Sequence, residues 1–204
     1  MRIGWGSHHG GDVPRENDTR RTAARILDVA ERLAQTRGFN GFSYADIAPE
    51  LGISKAALHY HYPGKGALGQ ALIERYAARF FGALAAFDDE PAHSRLDRYV
   101  QLYVGVLSEG RMCLCGMLAA EYATLPEPVR DAVVRFFARN EQWLESVLAQ
   151  GRREGTVRAD GSLREAAQLI ISCLEGAMLI ARTSGGVRQF EAAAANVLRA
   201  VSAI

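Results

Sequence analysis

Lysine is almost missing from this 204-residue chain: it stands only at Lys55 and Lys65, and every other basic side chain is arginine. With a formal net charge of +1, the sequence has no broadly basic coat, so any contact with nucleic acid must be local. Cysteine is scarce as well. Cys113, Cys115 and Cys173 are an odd number in apolar surroundings, which excludes a disulfide framework and predicts reduced cytosolic thiols. No run approaches the roughly 20 apolar residues of a membrane-spanning helix, and the first residues lack the apolar core of a secretory signal. A cytoplasmic protein without membrane contact is expected. Valine, isoleucine and threonine are outnumbered by alanine and leucine, which favours an all-α fold over sheet. At 49% hydrophobic residues, the chain can bury a substantial core. There is no nucleophile elbow, no phosphate-cradling glycine loop and no Cys/His metal spacing, so neither cofactor nor metal is expected. Glu121 beside Tyr122 is the one pairing that could be recruited into an active site. A helical enzyme therefore remains an alternative, alongside a helical protein-interaction module without DNA activity.

What the sequence does have is a compact signal over 43–65. Ser43 is an N-cap with Asp46 three residues on, the pattern of a capping box. Ile47, Ala48 and Leu51 give a short helix one apolar side, and Gly52 permits a tight turn. Ser54 caps a second helix whose inward positions are Ala57 and Leu58, leaving Lys55, Ala56, His59, Tyr60 and His61 outside. One cation, small residues and hydrogen-bonding rings suit a surface pressed against DNA. An ordinary helical hairpin with a solvated face has the same spacing. Pro63 and Gly64 stop the second helix, with Lys65 just beyond.

Residues 19–68 resemble the DNA-binding domain of TetR-type transcriptional repressors. The resemblance rests on Ile26, Leu27, Ala30 and Leu33 of an amphipathic first helix, Gly38-Phe39, Ser43, Ile47-Ala48, Gly52-Ile53-Ser54, Tyr60-His61-Tyr62 and Lys65. His59, Tyr62 and Gly66 depart from the residues usual in the family. The resemblance implies an operator-binding homodimer. The expected DNA-facing set is Ser43, Tyr44, Lys55, Ala56, Ala57, His59, Tyr60, His61 and Lys65. Of these, Lys55, Tyr60, His61 and Lys65 would meet phosphates, while Ala56, Ala57 and His59 lie nearer base edges.

Around this core of the sequence, about nine helices are expected. Residues 1–17 read as a mobile tail, 18–64 as the helix-turn-helix domain and 65–204 as a sensing and dimerisation domain. His8 and His9 make no metal set by themselves. Arg15, Arg20 and Arg21 could form an arm at the junction with the first helix, over 19–37. A long helix over 65–87, buried through Leu68, Leu72, Ile73, Tyr76, Phe80 and Leu84, is the expected transmission element. Helices follow over 92–108, 116–123 and 126–153. Two last helices, over 162–183 and 187–203, carry more apolar surface than one helix can hide, and the resemblance implies that they pair with their copies in a homodimer.

Met112 to Tyr122, MCLCGMLAAEY, resembles a Cys-x-x-Gly-x-Leu-Ala-x-Glu segment in one branch of TetR-type regulators. That branch includes repressors that respond to electrophiles or reactive chlorine through the cysteine. Cys113, Gly116 and Glu121 match it; Met112 replaces a glycine and Cys115 is extra. Arg111 is placed to favour the thiolate. A buried, inert Cys113 is the alternative. The other candidate input is a small apolar ligand held by Tyr99, Tyr103, Met112, Met117, Tyr122, Phe136, Phe137 and Trp143, all of which would also serve as core.

Overall fold

The computed structural model describes residues 13–158 and 160–203, with side chains from Asn17 onward. His8, His9 and most of the expected tail lie outside the described residues. Helix α1, Val13–Arg37, begins inside that tail: Pro14 sits in its first turn, where the missing N–H costs nothing, so residues 13–17 are helical rather than tail. The remaining helices are α2 (Tyr44–Leu51), α3 (Lys55–His61), α4 (Lys65–Ala85), α5 (Ala92–Ser108), α6 (Leu114–Ala120), α7 (Glu127–Glu154), α8 (Leu163–Ser184) and α9 (Gly186–Val201). A 3₁₀ turn, Tyr122–Thr124, separates α6 from α7. Among the described residues there is no strand, only an isolated bridge from Val157 to Ser202 that ties the α7–α8 loop to the end of the chain.

Helices α1 to α3 form a small head around Ile26, Leu33, Phe39, Ile47 and Leu58, all nearly inaccessible. The capping box at Ser43 is present: its hydroxyl accepts the Ala45 N–H at 3.2 Å, and Asp46 accepts the Ser43 N–H at 2.8 Å. Gly52 closes α2 with φ +66°, a left-handed conformation that glycine adopts without a Cβ penalty. Ser54 then caps α3 by accepting the Ala57 N–H at 3.1 Å.

From the head, α4 runs into the larger body. It packs on α7, α7 on α8, and α8 on α9, with α5 enclosed among α7, α8 and α9. The six apolar residues expected to bury α4 are all buried. Around them Tyr76, Phe80, Phe81 and Phe136 form an aromatic cluster whose neighbouring rings lie 5.3–6.2 Å apart, the range of favourable edge and tilted contacts.

Helix α8 corrects one expectation from the sequence. By length and composition it is apolar enough to cross a bilayer, although only a minority of it is buried. Leu169, Leu179 and Ile180 project to the outside, beside an open groove between α8 and α9 lined by Cys173, Ala177, Ala193 and Val197.

Candidate DNA-reading face and effector cavity

The outer face of α3 carries Lys55, Ala56, His59 and Tyr60, all exposed, and Tyr60 is 78% accessible with its ring edge-on to His61. Ala57 and His61 are half-buried and border this face. Five of the expected DNA-facing residues, Ser43, Tyr44, Lys55, His59 and Lys65, line one shallow hollow beside α3. Two of these are committed inward. The Tyr44 hydroxyl donates to the Tyr62 carbonyl at 2.7 Å, its ring packs edge-on to His59, and burial pushes its pKa up to about 12. The Lys65 ammonium donates to the Phe42 carbonyl and lies 4.8 and 4.5 Å from the ring centroids of Phe39 and Phe42. Burial lowers the Lys65 pKa, with Glu121 and Asp46 working against that shift. Lys65 was expected at a phosphate; its hydrogen bond and ring contacts make it a pin between α4 and the loop before α2.

In the body, a cavity of about 180 Å³ lies between α4, α5 and α8. Its walls are apolar, from Phe80, Leu102, Val106 and Met178, with Tyr76, Tyr103 and Cys113 as polar points and half-exposed Arg79 at the rim. Of the expected ligand-lining residues, Tyr103 and Cys113 are on it. Tyr99 stands one layer behind, its hydroxyl 3.1 Å from that of Tyr103 and 2.9 Å from Asn140 Nδ2. Trp143 stacks on Tyr99 at 5.5 Å, and its buried indole N–H has no hydrogen-bond partner among the described residues. Cys115 is fully buried, Phe137 packs on Phe136, Met117 Sδ faces Arg182 and Tyr122 is exposed; none of these four lines the cavity.

Cys113 caps α6, its sulfur accepting the Gly116 N–H at 3.4 Å and the Tyr76 hydroxyl at 3.7 Å. Arg111, expected to favour the thiolate, pairs instead with Glu109 and donates to Gln35 at 3.3 Å. Burial, followed by the nearby Glu175 carboxylate, pushes the Cys113 thiol well above its ordinary pKa.

Glu175 is the residue that sequence reasoning missed. It is the only charged side chain between Ala166 and Ala181, and that isolation on an apolar helix was the available signal. It accepts the Tyr103 hydroxyl at 3.3 Å, and burial raises its pKa to about 7. Gly116 makes room for it, since a Cβ there would overlap Glu175 Oε2.

Both ends of α6 are fastened to the head. Before it, the Met112 N–H donates to the Gln35 carbonyl at 3.2 Å. After it, Glu121 accepts the N–H groups of Phe39 and Asn40 at 2.6 and 3.2 Å, and Thr124 accepts from Asn40 Nδ2 at 2.6 Å. Arg182 of α8 donates to the Thr36 carbonyl at 2.5 Å. A further link runs from the cavity rim: Arg79 pairs with buried Glu31 of α1, which Arg75 also reaches at 2.9 Å.

Residues 26–72 match the family described as bacterial regulatory proteins, tetR family, and residues 92–197 match the tetracyclin repressor-like C-terminal domain. The HTH-type transcriptional repressor NemR of Escherichia coli K12 is 27% identical over 188 residues, spanning 89% of this chain and 93% of NemR. The repressor DhaR of a Mycobacterium species is 25% identical over 76% of this chain and 79% of its own length. Among solved structures, a TetR-family transcriptional regulator from Agrobacterium tumefaciens superposes with a TM-score of 0.86 at 30% identity, covering 90% of this chain and 99% of the other. The reduced form of E. coli NemR superposes with a TM-score of 0.78 at 25% identity over 89% of this chain and 97% of that one.

Proposed function

The chain belongs to the TetR family of DNA-binding transcriptional regulators, and from that premise we propose how its parts divide the work. Helices α1–α3 read DNA, and α4–α9 sense an effector and hold two copies together. The protein acts in the cytoplasm as a regulator rather than an enzyme, and its likeness to NemR and DhaR supports repression as the outcome. Lys55 and Tyr60 position α3 on phosphates, with Ala56 and His59 nearest base edges. Two heads in a dimer joined through α8 and α9 would sit about 34–36 Å apart to enter successive major grooves.

The input is the cavity beside Cys113. It takes a small apolar compound with a carbonyl or similar acceptor, or an electrophile that modifies the thiol. The observation that carries this reading is the span of α6. Its first turn is capped by the cavity cysteine, and Glu121, the residue that closes its other end, grips the turn that enters the head. Filling the cavity or enlarging Cys113 displaces the cap, moves α6 and tilts the head away from the operator-binding spacing. An effector shifts that balance only as far as it prefers one arrangement over the other.

The test is fluorescence anisotropy of labelled DNA from the region upstream of the protein's own gene, at two salt concentrations, with and without small electrophiles. Salt-sensitive binding that outcompetes random DNA, and that is released by electrophile in the native protein but not in Cys113→Ser, is the expected result. Equal affinity for random DNA, followed by no enriched sequence in a selection from random DNA, would overturn the DNA-reading assignment. Unchanged release in Cys113→Ser would move the input to noncovalent binding in the same cavity.

A further inference from the structure

A thiol in this position faces a chemical difficulty. The nucleophile is the thiolate, and nearby cations or a metal usually supply it. Here the sulfur is buried, Arg111 is turned to Glu109 and Gln35, and the thiol pKa is raised rather than lowered. The charged and titratable groups around it come from every neighbouring element. Glu31 on α1 is held by Arg75 and Arg79. Tyr76 on α4 and Tyr99 and Tyr103 on α5 are neutral phenols with raised pKa values. Cys115 on α6 is a buried thiol with a raised pKa. Glu175 on α8 lies against Gly116, whose N–H the Cys113 sulfur accepts, and after burial it is the largest contribution to the raised thiol pKa.

We infer that Glu175 is the base that takes the Cys113 proton when an α,β-unsaturated carbonyl compound enters the cavity, so that Cys113 reacts without first existing as a thiolate. The inference rests on the thiol-sensing reading above and names the residue that makes it possible. The sulfur lone pair forms a C–S bond with the β-carbon as the S–H proton passes to a Glu175 oxygen. The π pair of the C=C bond moves toward the carbonyl as an enolate. The enolate α-carbon then takes the proton back from Glu175, restoring the carboxylate and leaving a thioether. No oxidant or other reactant is consumed. The geometry supplies each part. Gly116 admits the carboxylate beside the sulfur, Tyr103 holds it by donating at 3.3 Å, and Tyr76, which donates to the sulfur at 3.7 Å, is placed to turn to the new enolate oxygen once the sulfur becomes a thioether. A carboxylate that titrates near neutrality is matched to such a proton transfer.

The experiment is the rate of Cys113 alkylation by N-ethylmaleimide in the native full chain between pH 5.5 and 9, with the modified cysteine located by peptide mass spectrometry. The expected wild-type rate rises through pH 7 and then levels, with a normal solvent deuterium isotope effect. Glu175→Gln should react about 100-fold more slowly at pH 7 and still be climbing at pH 9. Glu175→Asp, which keeps the carboxylate but shortens its reach, should fall between the two. A Glu175→Gln rate and profile equal to wild type would overturn the inference while leaving thiol sensing intact. If Glu175→Gln fails to fold, the wild-type profile decides: a rise that follows only the thiol titration, with no isotope effect, overturns it equally. No labelling of Cys113 in the wild-type protein would overturn both the inference and the thiol-sensing reading beneath it.

Discussion

Glu121 Oε2 accepts the backbone N–H of Phe39 at 2.6 Å, which bonds the end of α6 to the first turn beyond α1. A charged acceptor with several N–H donors is worth about 1.5–3 kcal/mol. Glu121→Ala should lower stability by that order in urea denaturation. Effector-free operator affinity should stay within a few-fold of wild type while effector-driven release weakens. Superimposable release curves for the two proteins would show that α6 does not carry the signal.

The two lysines should separate in their effects. Lys55→Ala should weaken binding to all DNA sequences and reduce the salt slope by about 1. Lys65→Ala should leave that slope unchanged and cost about 1–2 kcal/mol of stability, because it removes a hydrogen bond and two cation–ring contacts. Anisotropy titrations at several salt concentrations and a thermal melt check both; a salt slope lowered by Lys65→Ala would return that residue to the DNA backbone.

Gly116→Ala probes the fit of Glu175. The added methyl overlaps the carboxylate, so Glu175 must leave its place beside Cys113 or α6 must shift. Overpacking of this kind costs about 1–3 kcal/mol. The variant should melt earlier and alkylate at Cys113 as slowly as Glu175→Gln. Wild-type behaviour in both measurements would mean that the contact is not tight in solution.

Glu175 also predicts a pH dependence of folding. Its pKa is about 7 in the folded protein, against an ordinary 4.5, so the native chain binds more protons than the unfolded chain between those values. Stability contributed by the neutral carboxyl is fully present below about pH 4.5 and is lost as the pH rises through 7, by about 3 kcal/mol at most. Chemical denaturation at several pH values should show this decline in the wild type and its absence in Glu175→Gln. Equal slopes in the two proteins would mean that another group sets the dependence.

The outer face of α8 gives a test of assembly. Ile180 is 57% accessible and Leu179 is 50% accessible on an isolated chain. Ile180→Asp should convert a dimer to a monomer in light scattering and weaken operator binding with it. A dimer unaffected by that change would place the interface elsewhere.

Much of the head is readable in the sequence because its signals are local. Ser43 and Asp46 lie three residues apart, and Gly52 and Ser54 bracket a turn, so backbone hydrogen bonding alone identifies them. The buried stripe of α4 is readable for the same reason, from its helical period. The fate of Lys65 is not, since the rings that hold it are Phe39 and Phe42, more than twenty residues earlier, and nothing in the local pattern says whether its stem turns in or out. Tyr44 is hidden similarly by its bond to Tyr62. The start of α1 lies in a stretch without apolar period, where only Pro14 signals a first turn. The cavity is the least readable part. Cys113 and Tyr103 are its legible members, while Glu175 joins them from α8 only after packing brings residues some sixty positions apart to one point.

Helix α8 presents Glu175 to the interior and Leu179 and Ile180 to the exterior, within less than two turns of one rigid rod. Two copies joined along that rod could not choose their states independently. A shift that accommodates a guest in one protomer would be imposed on its neighbour before the second guest arrives. The dose–response curve for derepression would then be sigmoidal, with a Hill coefficient above one, so that a modest rise in effector switches the gene over a narrow concentration range.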